Sequence, residues 1–238
     1  MSDINAFNGF SKDGIKFLLE LEKNNTKEWF EERKDIYRQE LLLPAQSLVK
    51  ALGERLQQIS PDIVADTRAN GAGSLMRIYR DVRFSKDKTP YKTNIGMLFW
   101  EGPRKKSENP TFGFQFGTWG AGLYAGQWVF PKDMLPVYRE AIIDDRLGIE
   151  LEAAIQTVEK AGDYQVEGEK YKRVPSGFDA EHPRAELLKH KGLHVSSPQL
   201  EPELLLSADL PDFLFEQCRN MAPVQQWLVR VDKRTRGL

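Results

Sequence analysis

The chain has 238 residues, 40% of them hydrophobic and 29% charged, and its 34 Lys and Arg against 35 Asp and Glu give a formal net charge of -1. That length can bury one substantial core and predicts a single domain over 1–238. The near-neutral balance argues against a general nucleic-acid coat, and no apolar run approaches the roughly 20 residues needed to cross a bilayer.

The opening MSDINAFNGF lacks a basic region followed by an apolar one, so export is not expected. Ser11 is placed to cap a first helix with Ile15, Leu18 and Leu19 on one side, which Asn24-Asn25 ends. Thr26 starts a second helix presenting Trp29, Arg33, Ile36, Tyr37 and Leu41. Pro44 suits the first turn of a third, whose apolar stripe is Leu48, Val49, Leu52 and Leu56.

From about 63 to 130 the texture changes to short strands, expected at 75–84, 94–101, 111–118 and 121–130. Short connections make these an antiparallel meander, with a tight hairpin at Trp119-Gly120 and with Phe112, Phe114 and Phe116 on one face. The segment between Glu101 and Thr111, with Arg104, Lys105 and Lys106, reads as a solvated loop.

Beyond Pro131 the pattern is mainly helical. One helix is expected to about Asp145 and another from Ile149 to Lys160, stopped by Gly162. A small hairpin around Gly168, a short helix from Pro183 to Gly192 and an edge strand over Leu193–Ser196 follow. Asp209 and Asp212 mark the start of a last helix carrying Leu210, Phe213, Leu214, Cys218 and Met221, which Pro223 kinks or restarts before a frayed KRTRGL tail. Cys218 sits in that apolar stripe as a structural thiol, and a single cysteine fits a reducing cytoplasm. The predicted class is α+β, with N-terminal helices, a central antiparallel meander and C-terminal helices.

Charge is concentrated in one place. RIYRDVRFSKDKTPYK, residues 77–92, holds six basic side chains and two aspartates in sixteen residues. As a strand, its first half puts Arg77, Tyr79, Asp81 and Arg83 on one face and Ile78, Arg80, Val82 and Phe84 on the apolar one. Arg80 then needs a partner, for which Glu28 and Glu32 are the candidates, since a buried guanidinium is costly unless paired. Asp87 suits a turn cap and Pro90 stiffens the turn.

The pattern Arg77-x-x-Arg80-Asp81-x-Arg83-Phe84-x-x-x-Asp87-Lys88-x-x-Tyr91-Lys92 resembles the signature of the DUF2461 family. Gly122-Leu123-Tyr124, Lys172-Arg173-x-Pro175-x-Gly177-Phe178, His182-Pro183, Leu187-Leu188 and Lys191-Gly192 extend the resemblance over nearly the whole chain. It implies site positions within the signature and leaves the chemistry open.

The leading expectation from the residues is a cytoplasmic protein that binds a small anionic metabolite, phosphorylated or carboxylated, with Arg77, Arg83, Lys88 and Lys92 as a clamp. Arg80, Tyr91 and Arg173 join the ligand-binding set. If the segment 170–184 folds beside 77–92 it completes a pocket. Asp81 and His182 are the candidates to move a proton should the protein catalyse a reaction. The opposing reading makes Arg77, Asp81 and Arg83 a self-satisfied ion network. A different class, a nucleic-acid or protein interaction module, would join residues 77–92, 104–106 and the basic tail into one positive surface. No cofactor is predicted. Mg²⁺ stays open only if the fold gathers Asp62, Asp66 and Asp81, and Gly192 is expected to keep His190 and His194 from lining up on a helix as metal ligands. No membrane partner is expected, and oligomeric state is left unassigned.

Overall fold

The computed structural model describes residues 6–238; part of the N-terminal stretch read for export therefore lies outside the described residues. The fold is α+β, with N-terminal helices, a five-stranded antiparallel sheet in the middle and a C-terminal helix. By contacts it divides into two compact units. The first comprises the chain to Phe99 with Gly113–Gly122 and Gln199–Glu216, and the second Trp100–Phe112, Leu123–Pro198 and Gln217–Leu238. Among the described residues no helix is long and apolar enough to cross a membrane.

The first unit begins with helix α1 (Lys12–Lys23), capped by the Ser11 hydroxyl, which accepts from the Gly14 N–H at 2.9 Å. Its buried face is Gly14, Phe17, Leu18 and Leu21, whereas Leu19 is exposed; the expected stripe was rotated from the real one. The single second helix predicted from spacing is broken into α2 (Lys27–Glu32), α3 (Lys34–Tyr37) and a π-turn at Arg38–Leu42 that runs into α4 (Leu43–Leu56). Pro44 explains the π-turn. It lacks the N–H that an α-helix would donate to the Glu40 carbonyl, and the Leu43 N–H reaches back to Arg38 instead. The freed Glu40 carbonyl faces α1 so closely that a Cβ on Gly14 would stand 2.7 Å from it. Leu48, Val49, Leu52 and Leu56 of α4 are all buried, each contributing roughly 1.5–3 kcal/mol of transfer free energy.

The sheet runs in the order β1-β2-β3-β5-β4. Strands β1 (Asn94–Trp100), β2 (Thr111–Gly117) and β3 (Gly120–Gln127) form the expected meander, with the turn at Thr118-Trp119, one residue earlier than predicted. Phe112, Phe114 and Phe116 are buried. The strand expected at 75–84 does not form. Only two isolated bridges exist there, Leu75 with Met97 and Tyr79 with Tyr91. Asp81 ends the extended run, because its carboxylate takes the Arg83 N–H at 3.3 Å and the chain turns, with Ser85 N–H on the Val82 carbonyl. Phe84, assigned to the apolar face, is 96% exposed.

The second unit departs from expectation in pairing. Residues 164–174 do not fold on themselves around Gly168; β4 (Gln165–Glu167) pairs with β5 (Leu193–Ser196), Val166 opposite Val195. β5 is therefore an interior strand, since Val195 also faces Ala125 of β3. Helix α5 (Met134–Ile143) precedes α6 (Asp145–Ala161). The latter starts four residues before the expected Ile149 because Asp144 accepts from the Arg146 and Leu147 N–H groups. A short α7 spans Ala185–Leu188, and α8 (Leu210–Thr235) passes Pro223 without interruption. Within this unit Trp227 is fully buried against Tyr138 and donates its indole N–H to the Leu147 carbonyl at 2.9 Å.

The loop of Arg104 is not simply solvated, and the tail is not frayed. Arg104, 17% exposed, donates to Asp133 at 2.7 Å and to Asp232 at 2.9 Å; Asp232, 1% exposed, also receives Arg236, while Lys233 pairs with buried Glu101. Removing one member leaves buried charge uncompensated. Asp232→Ala should lower unfolding free energy by about 3 kcal/mol in urea denaturation, and a loss below about 1 kcal/mol would reduce the network to a surface pair.

Candidate functional site

The site lies in the first unit and is built on one side-chain amide. Asn25, just past α1, donates its Nδ2 to the Tyr91 carbonyl at 2.9 Å and accepts the Tyr91 N–H on Oδ1 at 3.0 Å. It thus does for Tyr91 what a neighbouring strand would. The Tyr91 ring stacks on Phe30, centroids 4.1 Å apart and planes at 17°, with Tyr79 at 5.3 Å. Arg80 N–H bonds the Pro90 carbonyl at 2.8 Å and Lys92 N–H the Ile78 carbonyl at 2.7 Å. The side chains so fixed line a cavity of about 400 Å³ with Glu22, Asn25, Asp87, Thr89, Thr93 and Asn94. That size lies in the range of small-molecule sites.

Two cations and two carboxylates line this cavity, but they are unequally matched. The Arg80 guanidinium donates to the Asp87 carboxylate and the Thr89 hydroxyl, not to the expected Glu28 or Glu32. Asp87 also accepts the Thr89 N–H at 2.9 Å, closing an Asx-type turn. The Thr89 N–H first, and then Arg80, hold the Asp87 carboxyl down at about 2. Glu22 accepts the Thr118 hydroxyl at 2.9 Å.

Lys92 is left over. Half-buried, its ammonium is pushed below the usual lysine range first by desolvation and then by the Arg77 guanidinium, and among the described residues no carboxylate pairs with it. Arg77 owes its path to Gly71, where φ is +85° and a Cβ would stand 2.5 Å from Arg77 Cγ.

The remaining expected residues are not among those lining this cavity. Asp81 and Arg83 form an exposed bidentate pair, Nε–Oδ1 2.9 Å and Nη2–Oδ2 2.7 Å; the Arg83 side chain and N–H hold the Asp81 carboxyl at about 2. Lys88 caps the Val82 carbonyl at 2.8 Å. Arg173 and His182 belong to the second unit. There Arg173 is exposed and His182 Nδ1 accepts the Arg184 N–H at 3.0 Å. Arg184, part of the same basic run, is buried on the Ile142 carbonyl and Glu152.

His190 Nδ1 lies 3.1 Å from the Gly192 carbonyl, and burial, then Lys170, holds the ring down at about 4. His194 stacks on Trp128 at 3.8 Å. Among the described residues no group of three or more His, Cys, Asp or Glu could hold a metal ion, so Asp62, Asp66 and Asp81 are not gathered into one.

Six cavity residues were not in the expected site: Glu22, Asn25, Asp87, Thr89, Thr93 and Asn94. Asn25 was legible only as a helix stop. Its second role depends on a partner 66 residues away, for which local sequence carries no signal. Thr93 and Asn94 directly follow the signature, and extending the site past Lys92 would have found them.

Fold and site together define an α+β protein with a polar, mixed-charge cavity held by a basic signature segment. The chain belongs to the DUF2461 family of conserved hypothetical proteins, which it matches over residues 13–227. No curated protein matches it.

The turn at Asp87 makes a direct pH prediction. A carboxyl with a lowered folded pKa stabilises above its unfolded value and loses that contribution as pH falls through the folded value. The Asp87 carboxyl carbon should therefore titrate by NMR with a midpoint of about 2, the Arg80–Asp87–Thr89 link persisting through the usual aspartate range of about 3.9. A midpoint in that usual range would show that the turn does not hold Arg80 in solution.

Proposed function

We propose that the protein binds a small anionic metabolite, bearing phosphate or carboxylate, in the cavity of Arg80, Thr89 and Lys92. The observation that carries this is Lys92, a partly desolvated ammonium beside a second cation with no carboxylate of its own. Such an arrangement is unfavourable in the empty protein and is relieved by a bound anion. Arg80, oriented by Asp87, and the Thr89 and Thr93 hydroxyls and Asn25 and Asn94 amides supply donors around it. Of the proposed clamp, Lys92 lines the cavity, and Arg77 is near enough to lower the pKa of its ammonium. Arg83 and Lys88 serve as outer charges on the same segment. The reading is one of binding, because neither Asp81 nor His182 is among the lining residues. A cytoplasmic setting fits Cys218, whose thiol is buried and shifted upward by that burial.

Inorganic phosphate and a panel of small carboxylates in thermal unfolding test this. At a hundredfold excess over Kd a ligand should stabilise the parent by about 2.7 kcal/mol. Lys92→Met should lose the effect while leaving the ligand-free protein at least as stable, because it removes the uncompensated charge. A less stable, ligand-free Lys92→Met, with no parent response to any anion, would make Lys92 structural.

A nucleic-acid surface is the second reading, and Phe84 favours it: the ring is 96% exposed beside Arg83, 5.8 Å from its guanidinium, in the loop carrying Lys86 and Lys88. It has less basic surface to draw on, since Arg104, Lys233 and Arg236 are engaged by carboxylates. Gel shifts with single-stranded oligonucleotides should then weaken steeply with salt and with Phe84→Ala; no shift at low salt would exclude it.

A further inference from the structure

We propose that Lys92 is a covalent nucleophile, whose ε-amine forms an imine with the carbonyl of a small oxo acid or phosphorylated aldehyde held in the cavity of Arg80 and Thr89. The inference rests on the anion-binding reading and adds a reaction to it.

Its basis is the contrast between Lys92 and the lysines already engaged; Lys12, Lys16 and Lys50 line other cavities, whereas Lys92 shares its cavity with Arg80 and Thr89. Lys34, Lys105, Lys189 and Lys191 are each paired to a carboxylate, and Lys88 donates to a backbone carbonyl. Lys92 alone among these lines a cavity, without a counter-ion and with Arg77 as its charged neighbour. Desolvation and an adjacent cation are the two means by which a lysine amine is made available as a nucleophile, and the downward shift agrees with that geometry. The backbone beneath the side chain is fixed on both sides, by the Asn25 bridge to Tyr91 and the Lys92 N–H bond to Ile78. A carbonyl compound with an anionic arm would place that arm against the cations and its carbonyl carbon within reach of Nζ.

The step balances without another reactant. The amine lone pair forms the C–N bond and the carbonyl π pair moves to oxygen. The two amine protons then leave with that oxygen as water, giving the imine.

Pyridoxal 5′-phosphate, an aldehyde with a phosphate arm, is the probe, with borohydride to trap the imine and peptide mapping to locate it. At limiting probe the main adduct should fall on Lys92, fade when excess inorganic phosphate is added, and vanish in Lys92→Arg. Should that variant misfold, phosphate protection of the parent remains decisive. Adduct spread over exposed lysines such as Lys105 and Lys160, with none concentrated on Lys92, would overturn the inference. If phosphate still raises the melting temperature in that case, only the covalent step fails. If phosphate has no thermal effect either, the anion-binding reading fails with it.

Discussion

The amide of Asn25 is the constraint on which the site depends. Tyr91 has no regular strand beside it, and a buried backbone N–H and carbonyl without partners would cost free energy comparable to lost hydrogen bonds. Asn25 satisfies both at once, at 3.0 and 2.9 Å. With the Tyr91 backbone held there, its ring lies flat on Phe30, and Arg80, Thr89 and Lys92 converge on one cavity although none belongs to a strand or helix. An irregular segment is thereby fixed at Tyr91 without a neighbouring strand.

Charge pairing decides what that cavity can bind. In the second unit several cations are met by carboxylates, Arg104, Lys233 and Arg236 by Asp133, Asp232 or Glu101, and Arg184 by Glu152. In the first unit Arg83 is met by Asp81, and Arg80 by Asp87. The two aspartates of the signature are thus spent on Arg80 and Arg83, and among its other cations Lys92 lines the cavity, under the influence of Arg77.

Much of the fold was legible because it rests on local pattern. Ser11 as a cap, Pro44 in a first turn and the stripe of Leu48, Val49, Leu52 and Leu56 follow from short-range physics. The misreadings have two causes, a local turn and long-range pairing. Residues 75–84 alternate like a strand, but Asp81 diverts its own backbone into a turn. Gly168 looks like a hairpin apex, yet β4 finds β5 well beyond it, Val166 against Val195. Arg104 and the tail look solvated until distant carboxylates meet them. Within the site, the 77–92 signature was visible as charge, and the turn role of Asp87 followed from its residue type. Which cation would be left uncompensated was not visible, since that depends on how the turn at Asp87 pairs Arg80 and on which side chains the rest of the unit brings to Lys92.

The most direct measurement is a crystal structure grown with inorganic phosphate. Phosphate within hydrogen-bond distance of Lys92 Nζ, sharing donors with Arg80 or Thr89, is the predicted result. Phosphate on the exposed loop of Arg83, Lys86 and Lys88 with the cavity unfilled, or a protein carboxylate turned onto Lys92, would contradict the central claim that Lys92 is the cation reserved for a ligand.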